Sequence, residues 1–181
     1  MNFVRFSRMA FILILLLSIS NCKNTYTMSK NKELKKGDKV PMFTLSDQNG
    51  TNFSIESLIG KKNIIVYFYP KDETSVCTAQ ACSFRDSYQD FLALGCEVIG
   101  ISSDDTESHQ KFAKNHSLPF ILLSDSKREV RSAFGVPKDM LGLISGRYTY
   151  VINKEGEIIL VFNSAFNAQK HIDAALEVLR N

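Results

Sequence analysis

The 181-residue chain has no Trp, four Pro and four Cys, the last being Cys22, Cys77, Cys82 and Cys96. That is far too few cysteines for a disulfide-dense scaffold, so any cysteine chemistry is confined to a site. No two of them stand two residues apart, so the C-x-x-C pair of dithiol oxidoreductases is missing. The excess of positive charge is only +3, too small for a protein that lives by gripping phosphate backbones, so no nucleic-acid partner is expected. Gly60-Lys61-Lys62 is superficially like a phosphate loop but lacks the upstream glycine. His109, His116 and His171 show no tight metal-binding spacing and read as single exposed histidines. No internal repeat is present. What remains is ordinary globular composition, 44% hydrophobic and 23% charged, in a length that suits one catalytic-sized domain.

The N-terminal stretch differs in kind. Arg5 and Arg8 precede an uncharged run from Met9 to Ser20. A membrane-spanning helix needs about 20 apolar residues, so this shorter run reads as the core of a signal peptide over residues 1–21. Leu17-Ser18-Ile19-Ser20-Asn21-Cys22 resembles a lipobox, with Asn21 where a small residue is usual. Cys22 is then the lipid-attachment residue, and residues 22–36 form a polar tether. The expected location is the extracytoplasmic face of a bacterial membrane. The alternatives are an uncleaved anchor, or a start at Met28 with a cytoplasmic protein.

Residues 37–181 read as one α/β domain. Phe43–Gly50 is a short strand ending in an Asn-Gly turn. Asn63–Tyr69 is an unbroken β-branched and aromatic run, the mark of a strand buried on both faces. A helix over residues 77–94 follows, then a strand over 97–102, a helix over 106–116, a strand over 120–123 and a short helix over 127–134. Tyr148–Ile152 and Glu157–Phe162 flank Asn153-Lys-Glu-Gly156 as a hairpin, and an amphipathic helix closes the chain over 168–179. Parallel βαβ units followed by a hairpin and a helix predict a mixed central sheet flanked by helices, compatible with a thioredoxin-like fold.

The loop after the first buried strand carries the chemistry. It reads Tyr69-Pro70-Lys-Asp-Glu-Thr74-Ser-Val-Cys77-Thr-Ala-Gln-Ala-Cys82. Ligands of open α/β sheets bind beyond the carboxyl ends of the strands, where this loop lies. Cys77 falls in the first turn of the helix, where free N–H groups and the positive dipole end favour thiolate over thiol. Pro70 has no N–H to donate and shields the sulfur, while the Thr74 hydroxyl both donates and accepts.

Pro70-x-x-x-Thr74-x-x-Cys77 resembles the active-site signature of peroxiredoxins, and Cys82, five residues on, resembles the bacterioferritin-comigratory or peroxiredoxin Q branch. The likeness extends to Gly37–Phe43, Gly100–Asp104, Leu118–Phe120 and Gly146–Asn153; Val76 stands where Gly is common. The resemblance implies that Cys77 attacks the peroxide bond and becomes a sulfenic acid. It implies that Arg147 holds the thiolate, that Thr74 and Pro70 orient and cover the substrate, and that Cys82 resolves the sulfenic acid as an intramolecular disulfide. It further implies hydrogen peroxide or an alkyl hydroperoxide as substrate, a thioredoxin-like protein as reductant, no cofactor, and a monomer or weak homodimer. Residues five apart in an intact α-helix have Cα atoms roughly 8.6 Å apart, beyond the ~7 Å reach of a disulfide, so the helix must open in each cycle.

Two other functions compete. A copper-delivery protein of thioredoxin-like fold uses two cysteines and a distant histidine, usually with three residues between the cysteines rather than four. A tethered thiol–disulfide oxidoreductase normally needs the missing C-x-x-C. Cys96 heads a buried strand and reads as core; Phe84, Tyr88 and Phe91 share a helix face and read as packing.

Overall fold

The structure is a computed structural model that describes residues 33–139 and 144–181. Cys22 and the expected signal peptide lie outside the described residues.

The elements follow in the order β1 (Thr44–Asp47), β2 (Asn52–Ser54), β3 (Asn63–Phe68), α1 (Ser75–Asp86), α2 (Tyr88–Ala93), β4 (Cys96–Ser102), α3 (Thr106–Asn115), β5 (Ile121–Ser124), α4 (Glu129–Ala133), β6 (Lys138–Asp139), β7 (Ile144–Ser145), β8 (Tyr148–Ile152), β9 (Ile158–Asn163) and α5 (Ala168–Arg180). Seven strands form one sheet in the order β2-β1-β5-β4-β3-β8-β9. β3, β4 and β5 run parallel, and the flanking pairs are antiparallel, so the sheet is mixed as the βαβ pattern predicts.

β3 lies inside this sheet and shows why its sequence is continuously apolar. Strand side chains alternate between faces. Ile64, Val66 and Phe68 enter a layer with Ile55, Val130 and Phe134. Ile65 and Tyr67, with Tyr69 just beyond the strand, enter the opposite layer with Phe84, Phe112 and Ile172. Both faces are covered, so no polar alternation is tolerated.

The sequence differs from the structure in two places. The helix expected over 77–94 is two helices, because Ser87 leaves helical geometry at φ −99° and ψ 6°. The bend keeps both Phe84 and Phe91 fully buried and brings the Tyr88 hydroxyl within 2.6 Å of Glu97 Oε1. β2 and the β6–β7 ribbon, of three and two residues per strand, are too short to show a period of their own.

Gly100 in β4 is required by its neighbours. A Cβ there would stand 2.7 Å from the Tyr67 ring and hydroxyl and 2.8 Å from Leu122. We predict that Gly100→Ala overpacks this layer and costs about 2 kcal/mol, read as a lower urea midpoint at unchanged slope; an unshifted midpoint would show that the Tyr67 ring moves freely.

Candidate active site

β3 delivers the chain to the carboxyl edge of the sheet, and Tyr69 N still donates to Ile101 O at 3.2 Å. The loop over residues 70–74 then turns into α1, with Glu73 in the left-handed region at φ 58°. Such a conformation costs of order 1–3 kcal/mol and persists only where its surroundings hold it. Here α3 holds it at both ends. The Glu73 carboxylate accepts from Asn115 Nδ2 at 3.0 Å and from His116 Nε2 at 2.9 Å. Asp72 Oδ1 accepts from the Tyr69 hydroxyl at 2.7 Å, and Oδ2 from Ser108 at 2.8 Å and His109 Nδ1 at 2.9 Å.

The Asp72–His109 pair is buried, and His109 Nε2 faces the Leu123 carbonyl at 3.2 Å. Burial pushes the Asp72 carboxyl up, but the His109 hydrogen bond and charge, with the Tyr69 and Ser108 bonds, leave it below its ordinary value.

Cys77 is the third residue of α1 and only 2% exposed. Its sulfur faces Arg147, carried in from just before β8. The guanidinium is 4% exposed and spends its donors on three acceptors: Nη2 on Cys77 Sγ at 3.2 Å, Nη1 on Gln80 Oε1 at 2.6 Å, and Nε on Ala165 O at 3.2 Å. The backbone at Gly146 fixes this entry, since its N–H donates to Pro137 O and its carbonyl accepts from Arg131 Nη2 at 2.9 Å. Thr74 is the N-cap of α1, but its hydroxyl donates to Lys71 O at 3.0 Å and accepts from no helix N–H. Thr74 is exposed and Pro70 half-buried. A buried sulfur in the first turn of a helix, within hydrogen-bond reach of a fixed guanidinium, is placed where a developing negative charge would be met by a cation.

Cys82 is half-buried in the same unbroken α1, and Cys77, Cys82 and Cys96 are all free thiols. Cys96 is fully buried core, and burial with the charge of Glu97 pushes its thiol up to about 12, which makes it inert. Phe84 and Phe91 are core as read from the sequence. A groove of about 810 Å³ runs between residues 33–36, β9 and α5 and includes none of these side chains.

The histidines depart from expectation. His109 and His171 are fully buried rather than exposed. His109, Phe112 and His116 recur at helical spacing on α3, a periodicity that was available in the sequence. Gln80, one turn beyond Cys77, was likewise visible as an i+3 neighbour. No sequence signal ties His171 to its partners, one on β8 and one just after β9: it contacts Thr149 Oγ1 at 2.8 Å and Ser164 O at 3.0 Å. Among the described residues no three His, Cys, Asp or Glu side chains gather as a metal site.

The sequence profile of the AhpC/TSA family matches residues 36–161. The chain is 48% identical over 164 residues to Peroxiredoxin Q, chloroplastic, of Populus jackii, covering 91% of this chain and 75% of that protein. It is 50% identical to the chloroplastic Peroxiredoxin Q of Gentiana triflora over 82% of this chain and 68% of that one. Among solved structures, Peroxidoxin BcpB from Mycobacterium tuberculosis superposes with a TM-score of 0.76 at 35% identity, over 82% of this chain and 97% of that one. Peroxiredoxin Q of Xanthomonas campestris gives 0.69 at 29%, over 76% and 89%.

These relatives overturn the expected location. The matched plant proteins are named chloroplastic, which points to a plastid and away from a membrane-anchored bacterial lipoprotein. Residues 1–32 contain arginines and no Asp or Glu, features that export signals and organelle transit peptides share, so composition there does not separate the two.

Two outcomes follow from the buried polar groups. Asp72→Asn leaves His109 without its counter-charge and is expected to lower stability by about 3 kcal/mol in urea unfolding; a loss under about 1 kcal/mol would show that the pair contributes little beyond ordinary hydrogen bonds. Burial holds the His171 ring down at about 4, against 6.5 ordinarily. Between those values the unfolded chain binds more protons than the folded one, so stability falls as pH drops from 6.5 to 4, by on the order of 3 kcal/mol. Thermal melts across that window should show this slope in the wild type and its loss in His171→Gln.

Proposed function

Because this chain belongs to the AhpC/TSA family and is a thiol-dependent peroxidase of the peroxiredoxin Q kind, we propose that Cys77 is its peroxidatic cysteine and Cys82 its resolving one. The single observation that carries the assignment is the Arg147 guanidinium 3.2 Å from the Cys77 sulfur, both buried. The Cys77 thiolate attacks the nearer peroxide oxygen, forming an S–O bond as the O–O bond breaks. The departing oxygen takes up a proton and leaves as water or an alcohol, and Cys77 becomes a sulfenic acid. Arg147 stabilises negative charge first on sulfur and then on the leaving oxygen. The Thr74 hydroxyl turns from the Lys71 carbonyl to orient the peroxide, and Pro70 covers it.

The Cys82 thiol then gives up its proton and attacks the Cys77 sulfur, the S–O bond breaks, and the departing hydroxide takes up a proton and leaves as water, giving a Cys77–Cys82 disulfide. Both cysteines lie in one continuous helix, where five residues put Cα atoms roughly 8.6 Å apart, so α1 opens before this bond closes. A thioredoxin-like dithiol reduces the disulfide by exchange, and α1 reforms. The substrates are hydrogen peroxide and organic hydroperoxides.

The test is peroxide consumption coupled to a thioredoxin. Cys77→Ser should abolish turnover. Cys82→Ser should consume one equivalent and trap a sulfenic acid at Cys77, and Arg147→Gln should lower kcat/KM by about 10². Undiminished turnover in Cys77→Ser would move the chemistry elsewhere. In the disulfide form, amide exchange should show lost protection over residues 77–86; unchanged protection there would refute the opening of α1.

A further inference from the structure

Arg147 has three anchors, and two of them, Cys77 and Gln80, belong to α1. If α1 opens once per cycle, those two contacts are lost each time. The Ala165 carbonyl on Nε is the remaining one. A guanidinium is a rigid planar fork, so fixing Nε fixes the direction in which both Nη groups point. The question becomes what holds Ala165.

Ala165 lies in the corner between β9 and α5, where residues 165–167 are exposed and Phe166 is 79% exposed. Packing does not secure such a corner. Asn167 N reaches Ser164 Oγ at 3.3 Å on the surface, and Asn167 Oδ1 caps α5 through Lys170 N. The buried anchor is His171. Its ring is fully buried on the first turns of α5, with the Phe162 ring edge-on at 4.9 Å. The Ser164 carbonyl only accepts, so Nε2 carries the proton and donates to it; Nδ1 then accepts from the Thr149 hydroxyl. Thr149 stands two residues after Arg147 on β8. The ring is therefore bolted between the strand that carries the arginine and the corner that aims it. The charged group facing the ring is Arg147 itself, and its charge joins burial in keeping the ring neutral.

We propose that His171 is a positioning residue for Arg147, holding the Ser164–Ala165 corner so that the guanidinium stays aimed at the Cys77 site while α1 opens and reforms. The proposal rests on the assignment of Cys77 and Arg147 made above. His171 touches neither peroxide nor sulfur, and it acts through the Ala165 carbonyl.

The test uses the full reduced chain, with iodoacetamide alkylation at pH 6 quantified at Cys77 by mass spectrometry and single-turnover peroxide reduction measured in parallel. In His171→Leu both rates are expected to fall about tenfold, the effect of a misplaced guanidinium. His171→Gln keeps an N–H toward Ser164 and should restore most of the loss. In an Arg147→Gln background His171→Leu should add nothing, because the two act through one group. Unchanged rates in His171→Leu, or the same tenfold loss in the Arg147→Gln background, would overturn the proposal. Should His171→Leu fail to fold, Thr149→Val removes only the hydroxyl on Nδ1 and is expected to slow both rates about threefold; unchanged rates there would also overturn it. Failure of the underlying assignment shows in the wild type instead, as a Cys77 that alkylates no faster than Cys82.

Discussion

The contact between the Arg147 guanidinium and the Cys77 sulfur is the constraint around which the site is built. An arginine is always charged, and burying it is costly unless acceptors and a negative charge stand near. Acceptors from two parts of the chain take one hydrogen bond from each of its three nitrogens, and in the proposed cycle the thiolate supplies the charge. That requirement explains why the arginine enters from the end of a central strand, at a glycine whose N–H and carbonyl are both engaged. It also explains why the sulfur lies in the first turn of a helix that packs on β3. A flexible cation at the surface would be screened and mobile, and would stabilise neither thiolate nor leaving oxygen to the same extent.

Two opposing demands meet in α1. The helix as formed places Cys77 against Arg147, and the proposed cycle asks it to open so that Cys82 reaches the same sulfur. The surroundings divide the labour. The loop ahead of the helix is held firmly, through Asp72 and His109 inside the protein and through Glu73, Asn115 and His116 at its surface. All of those partners come from α3 or its end, an element outside α1. The strained backbone at Glu73 is thus supported from a part of the fold separate from the helix that carries the cysteines. The helix itself is broken at Ser87, so opening its first turns need not propagate into α2.

Much of this was legible in the chain. β3 announced itself because a strand covered on both faces admits no polar position, and the closing helix because its apolar residues recur at helical spacing. Pro70, Thr74, Cys77 and Cys82 could be picked out as candidates because they fall in one turn and one helix, where sequence distance and spatial distance nearly coincide. Arg147 was read only from its resemblance to a family arginine; nothing local to Tyr148-Thr-Tyr-Val marks its neighbour as buried. The first 32 residues misled, because an arginine start, an apolar run and a lack of acidic residues serve more than one kind of address.

The sequence alone determined the main run of strands and helices, the apolar face of the closing helix and the five-residue spacing of Cys77 and Cys82, since all depend on neighbours within a few residues. Tertiary structure alone decided that Cys77 and Ala165, distant in sequence, share the Arg147 guanidinium, and that His109 and His171 are buried rather than exposed. Hydrogen bonds of that kind are set by strand order and register, and a crossover that puts β8 beside β3 leaves no periodic trace in the residues it brings together.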